Sequence, residues 1–177
     1  MILKNKLPII FCLIFLTSCN EFQRILKSED IKLKYEVAEK YYENQEFRRA
    51  SRLFEQIQSQ YRGKPQAERV TFFYANSLLN TKKYIDAGYQ FESFIKAYPL
   101  SQKVDEAAYL GAYSYYKTSP VFSLDQKETL TAIDKLQEFI NQLRDTFERQ
   151  AMMGESAVLL TSPSIRPYVR SIIERFR

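Results

Sequence analysis

Histidine and tryptophan are absent from the 177 residues, and cysteine occurs only twice. Each shortage closes off chemistry. Without His the common nucleophile–base triads lose their base, and the usual neutral-pH proton acceptor is gone. Cys12 lies in an apolar N-terminal run, and Cys19 ends it. If the first is removed and the second modified, no thiol is left for a disulfide, a zinc site or nucleophilic catalysis. Carboxylate or Ser–Lys chemistry stays open in principle, but no motif suggests it. The chain reads as a non-enzyme, with no metal site and no cofactor.

A strong charge excess is also lacking. The formal net charge is +5, yet Lys4 and Lys6 belong to the N-terminal segment, and residues 144–177 hold six Arg against four acids. Residues 19–143 keep 18 basic against 17 acidic side chains. The basic pI is therefore no nucleic-acid footprint.

What is present begins with the N-terminus. Two lysines precede the uncharged run 7–16, and ten helical residues rise only about 15 Å, half of a roughly 30 Å hydrocarbon core. This is a secretory signal rather than a membrane span. Leu16-Thr17-Ser18-Cys19 resembles a bacterial lipobox. That likeness implies a signal peptide at 1–18, cleavage before Cys19, and diacylglycerol plus an acyl chain on Cys19. Multiple acyl chains anchor durably where one holds only marginally. Residues 19–30 would then form a lipid-anchored linker, and the membrane would be met through lipid alone.

The body repeats itself. Tyr35, Phe72 and Tyr109 are 37 residues apart, as are Ala38, Ala75 and Ala112, and Tyr42, Leu79 and Tyr116. Ala50 and Ala87, Phe54 and Phe91, Ile57 and Phe94, and Tyr61 and Tyr98 keep the same offset. Eight further residues around "SPVFSLDQ" carry the pattern to Ala132, Leu136 and Phe139. A fixed period of this kind marks a repeat architecture. Within it, Tyr35, Ala38, Tyr41 and Tyr42 share one helical face, and residues 47–61 form a second amphipathic helix. "RGKP" and "YPLS" punctuate the units. Asp125 with Glu128 reads as a capping box.

Small residues facing each other in both helices, with aromatics from the neighbours, resemble the tetratricopeptide repeat. Ala38, Ala50 and Phe54 carry the likeness in the first unit. Ala75, Ala87, Phe91 and Pro99 carry it in the second, and Ala112, Ala132 and Leu136 in the third. The expected fold is all-α: a tetratricopeptide-like helical-hairpin solenoid of about three 37-residue repeats over 31–143. By that likeness the first helix of each pair lines a groove. The groove residues are Lys32, Tyr35, Glu39 and Tyr42, then Arg69, Phe72, Asn76 and Leu79, then Glu106, Tyr109, Tyr113 and Tyr116. A tyrosine-rich lining suits an extended or hairpin peptide, because tyrosine offers large contact area at low entropic cost. A carboxylate clamp is disfavoured, since Tyr35 and Glu39 stand where that mode uses Lys and Asn. Any one of these tyrosines can equally pack between repeats.

A lipobox followed directly by such repeats, with "YP" ending a second helix and "SP…LDQ" after "YSYYK", resembles one family. It is the BamD-like assembly lipoprotein of the β-barrel assembly machinery, of the Bacteroidota kind. The resemblance implies a non-catalytic periplasmic scaffold, lipid-anchored in the outer membrane. Its partners would be the barrel-forming assembly subunit and unfolded outer-membrane proteins, with no nucleic acid. Asn20 rather than Asp after the cysteine lacks the inner-membrane retention signal of enterobacteria. The repeat period stops near Leu143, whereas that family continues. Residues 144–177 are therefore expected to be a helix extension with Gly154 as its stop, then an atypical tail. That tail is either a capping helix or the product of a truncated or frameshifted reading frame. Two other classes compete: a periplasmic adaptor for cell-envelope or peptidoglycan factors, and a glycan-binding surface lipoprotein. The absence of Trp and the "NEFQ" after Cys19 argue against the second.

Overall fold

The computed structural model describes residues 21–154 and Arg170. Residues 21–154 hold seven helices: α1 (21–27), α2 (Ile31–Glu43), α3 (Phe47–Tyr61), α4 (Ala67–Asn80), α5 (Tyr84–Ala97), α6 (Val104–Thr118) and α7 (Lys127–Met152). No strand occurs among the described residues, and no described helix is long and apolar enough to cross a membrane. The chain divides into two compact units within α4, after Ser77.

Local chemistry sets the helix limits. Asp30 caps α2 by accepting from the Leu33 N–H at 3.0 Å, which satisfies one donor that the first turn leaves free. The turn out of α2 passes through Gln45 at φ 62°, and the turn out of α4 through Lys82 at φ 64°. These positions are one 37-residue period apart, and both turns close the same way. Gln45 N–H donates to Tyr42 and Glu46 N–H to Tyr41, as Lys82 donates to Leu79 and Lys83 to Leu78. Neither left-handed position is glycine, so the repeat extends to a backbone strain that the residue types did not reveal.

In the first unit α2 pairs with α3. Ala38 and Ala50 are wholly buried, with Leu53, Phe54 and Ile57 filling the space that the small residues leave. In the second unit α6 packs on both α5 and α7. Gly111 permits the α5–α6 approach: a Cβ there would lie 3.2 Å from the Cβ of Phe91. Ala87, Phe91, Ala112, Ala132 and Phe139 are buried at the predicted repeat places, whereas Leu136 is half-buried.

Two expectations are corrected. Residues 21–27 of the supposed linker form a helix, because Phe22 and Ile25, three apart, give it an apolar face that is buried. The Asp125–Glu128 capping box does not form. Asp125 accepts from Lys127 N–H, only two residues on, and α7 starts one residue later than the box requires. Gln126 instead ties the preceding loop to the helix by donating to the carbonyls of Val121 and Leu124. α7 itself runs unbroken through Leu143 to Met152, over the stretch where the spacing predicts a helix extension. Gly154, at φ 71°, donates to Ala151 just past its end, as the Gly154 stop requires.

Candidate functional site

The residues expected to line a groove fall into two clusters, one in each unit. In the first, Glu39 on α2 is the hub. Its carboxylate accepts from the Tyr35 hydroxyl one turn earlier and pairs with Arg69 of α4 at 2.8 Å. Tyr35 also stacks on Tyr61 of α3, with ring centroids 5.1 Å apart. Burial and then the Glu39 carboxylate push the Tyr35 hydroxyl well above its ordinary pKa, since both disfavour the phenolate. Arg69 lies over the ring of Phe73 at 5.0 Å, and Tyr42 stacks on the same ring at 4.0 Å with the planes 11° apart. Phe47 meets Tyr42 edge-on.

Phe73 is therefore the centre of an aromatic and cationic cluster, and the repeat pattern pointed instead to its neighbour Phe72. Phe72 is 2% exposed and belongs to the core. The correction has a packing cause: Phe72 and Phe73 point about 100° apart around α4, and the side toward Phe72 is buried in the core whereas the side toward Phe73 meets Tyr42 and Arg69. The signal was the doublet in "TFFY", which a single 37-residue offset cannot split. Asn76 and Leu79 are half-buried, and both are placed as α4 residues.

In the second unit α6 carries a tyrosine ladder. Tyr109 and Tyr113 stack at 6.1 Å, and Tyr113 and Tyr116 lie 6.1 Å apart. Exposure rises along it, from 9% at Tyr109 to 56% at Tyr116. Tyr109 packs on Phe139 of α7, so it is core rather than groove, contrary to its expected role. Tyr113, half-buried, carries the Lys117 ammonium 5.5 Å over its ring. The open part of the ladder is thus Tyr113 and Tyr116. Flat aromatic faces with a nearby cation hold apolar and aromatic side chains, and a phenol adds a donor for a backbone carbonyl.

A second concavity in this unit was not legible. A cleft of about 130 Å³ lies among α5, α6 and α7, lined in part by Glu92, Gly111, Tyr115, Lys135 and Phe139. Glu92 pairs with Lys135 at 3.2 Å across it, and Glu138 approaches the same ammonium at 3.4 Å. Burial and Glu92 raise the Tyr115 hydroxyl pKa. The space fits one side chain and is below the size of ordinary small-molecule sites. Cys19, the expected lipid attachment point, lies outside the described residues. Among the described residues no group of His, Cys, Asp and Glu is placed to hold a metal ion.

Comparison with known proteins adds two findings. Residues 28–152 match the outer membrane lipoprotein family YfiO. A 53-residue stretch is 60% identical to the flagellar biosynthesis protein FlhA of Caulobacter vibrioides, covering 30% of this chain and 8% of that protein. Neither flank of 28–152 is 53 residues long, so the flagellar match shares residues with the family match. A piece this small carries no function from the flagellar protein. The family match spans both units and every helix from α2 to α7. The chain belongs to the YfiO family of outer membrane lipoproteins.

Proposed function

We propose that the protein is a non-catalytic scaffold, anchored through lipid on Cys19 in the outer membrane and facing the periplasm, that assists insertion of β-barrel proteins. The supporting observation is the family match across 28–152, on a body made of paired helices. Cleavage after residue 18 would free Cys19 for acylation. The barrel-forming assembly subunit and unfolded barrel proteins are the proposed partners. Peptide segments of such substrates would meet Tyr113 and Tyr116 on α6, and the Tyr42–Phe73–Arg69 cluster in the first unit. Tyr35 and Glu39 act there as supports, since each already has a partner within the unit. The Bacteroidota type belongs to the same proposal.

The test is co-purification of the full chain from membranes in mild detergent. Recovery of a barrel-forming subunit supports the scaffold reading. Recovery of peptidoglycan factors in its place would make the protein an envelope adaptor. In parallel, Cys19→Ala should abolish fatty-acid labelling, and labelling that survives would remove the anchor assignment.

A further inference from the structure

The helix that replaces the expected linker is held by a specific set of contacts. Phe22 meets Tyr41 of α2 edge-on at 5.7 Å. The guanidinium of Arg49 lies 5.7 Å from the Phe22 ring centre and 5.4 Å from that of Tyr41, and Arg52 covers Phe22 at 5.9 Å. Ile25 adds a second buried anchor one turn on. The start of α1 is therefore fixed against the first turns of α3. Cys19 precedes Phe22 by three residues, a span of at most about 11 Å of extended chain.

Charge at this place is uneven. Arg49 is neutralised by Glu46 at 2.6 Å. Arg48 and Arg52, one turn apart on α3, are exposed and have no carboxylate partner among the described residues. Glu21 is the acid of α1 nearest Phe22, and it acts on Tyr41. Two exposed guanidiniums on the helix that holds Phe22, three residues after the proposed lipid attachment point, suit one anion, the phosphate of a lipid headgroup, which arginine binds in a bidentate fork.

We infer that α1 is a strap that holds the lipid-bearing end of the chain beside Arg48 and Arg52, so that these arginines bind anionic headgroups and set how the first helix pair lies on the bilayer. The inference rests on acylation of Cys19. Lipid supplies the attachment, and the arginines supply the orientation, because cations near an anionic surface each gain modestly and only within a short screening distance.

The test couples the chain from Cys19 onward, through its only thiol, to vesicles containing a maleimide lipid. This makes the outcome independent of native acylation, which the labelling of Cys19→Ala decides separately. Arginine modification by phenylglyoxal is then read residue by residue by mass spectrometry on phosphatidylglycerol and on phosphatidylcholine vesicles. Arg48 and Arg52 should be modified roughly fivefold more slowly on the anionic vesicles, with Arg62 at the far end of α3 unchanged. High salt should erase the difference. A Gly/Ser spacer inserted between Asn20 and Glu21 leaves α1 docked and should also erase it, as should Phe22→Ala if its melt stays cooperative. Equal rates on both vesicles would overturn the inference. So would slowing that persists with the spacer.

Discussion

α2 and α6 occupy the same place in the first and third repeats and carry tyrosines at matching positions, yet they use them differently. On α2, Tyr35 is committed to Glu39 and Tyr61, and Tyr42 to Phe73 and Phe47. On α6, Tyr109 packs on Phe139, Tyr113 stacks between Tyr109 and Tyr116, and Tyr116 stands more than half exposed. The difference comes from what the partner helices supply. α3 and α4 bring an aromatic ring or a guanidinium to Tyr35, Tyr41 and Tyr42, whereas α7 brings Phe139 to Tyr109 at the buried end of the ladder. A repeat position thus fixes where a side chain stands along its helix. Whether that side chain stays open to a ligand depends on the neighbouring helix.

The contrast breaks most sharply within α6. Tyr109→Ala should cost about 3–5 kcal/mol, by analogy with buried Phe→Ala, while Tyr116→Ala stays within about 0.5 kcal/mol. Denaturant melts of the two variants measure this, and equal losses would show that the ladder is uniformly core. Binding should order the same residues in reverse. Tyr113→Ala and Tyr116→Ala should each weaken affinity for a C-terminal barrel strand peptide by about 2 kcal/mol if they are hot spots. Tyr42→Ala should lower the melting temperature as well, because it loses its stacked partner.

Smaller effects test whether the two units share one geometry. Ala87→Leu, at a fully buried small position, should destabilise by about 1–3 kcal/mol through overpacking, and Ala50→Leu in the first unit should match it. Gln45→Gly and Lys82→Gly each relieve a left-handed backbone at an exposed turn. Each should stabilise by about 0.5–1 kcal/mol once the entropy of glycine is subtracted. A gain in one unit alone would mean that the turns are not equivalent.

The smallest effect is at alkaline pH. The folded state holds the Tyr35 proton more tightly than the unfolded chain, whose tyrosine titrates near 10.0. Above that pH the unfolded state binds fewer protons, so stability falls as pH rises, and it is unaffected by this group below it. Tyr35→Phe should flatten that part of the fall, leaving the parts due to Tyr41, Tyr61 and Tyr115, whose values are raised too. Stability measured against pH in both proteins gives the comparison.

The repeat was legible because close packing of paired helices demands small residues at fixed intervals. Ala38, Ala50, Ala75, Ala87, Ala112 and Ala132 are all buried where their spacing put them. The family match, residues 28–152, spans all six of them. The site was only half legible. Periodicity named Tyr42, Tyr113 and Tyr116 but chose Phe72 over Phe73, since a one-residue choice inside "TFFY" turns on which side α2 and α3 occupy. The docking of α1 lay beyond it altogether, because two apolar residues in a short charged segment look like a linker until Tyr41, Arg49 and Arg52 surround Phe22. Spacing along one chain determines which residues share a helix face. Only the packed neighbours decide which of those faces are covered, paired or left to water, because burial is a property of two surfaces and the sequence pattern describes one.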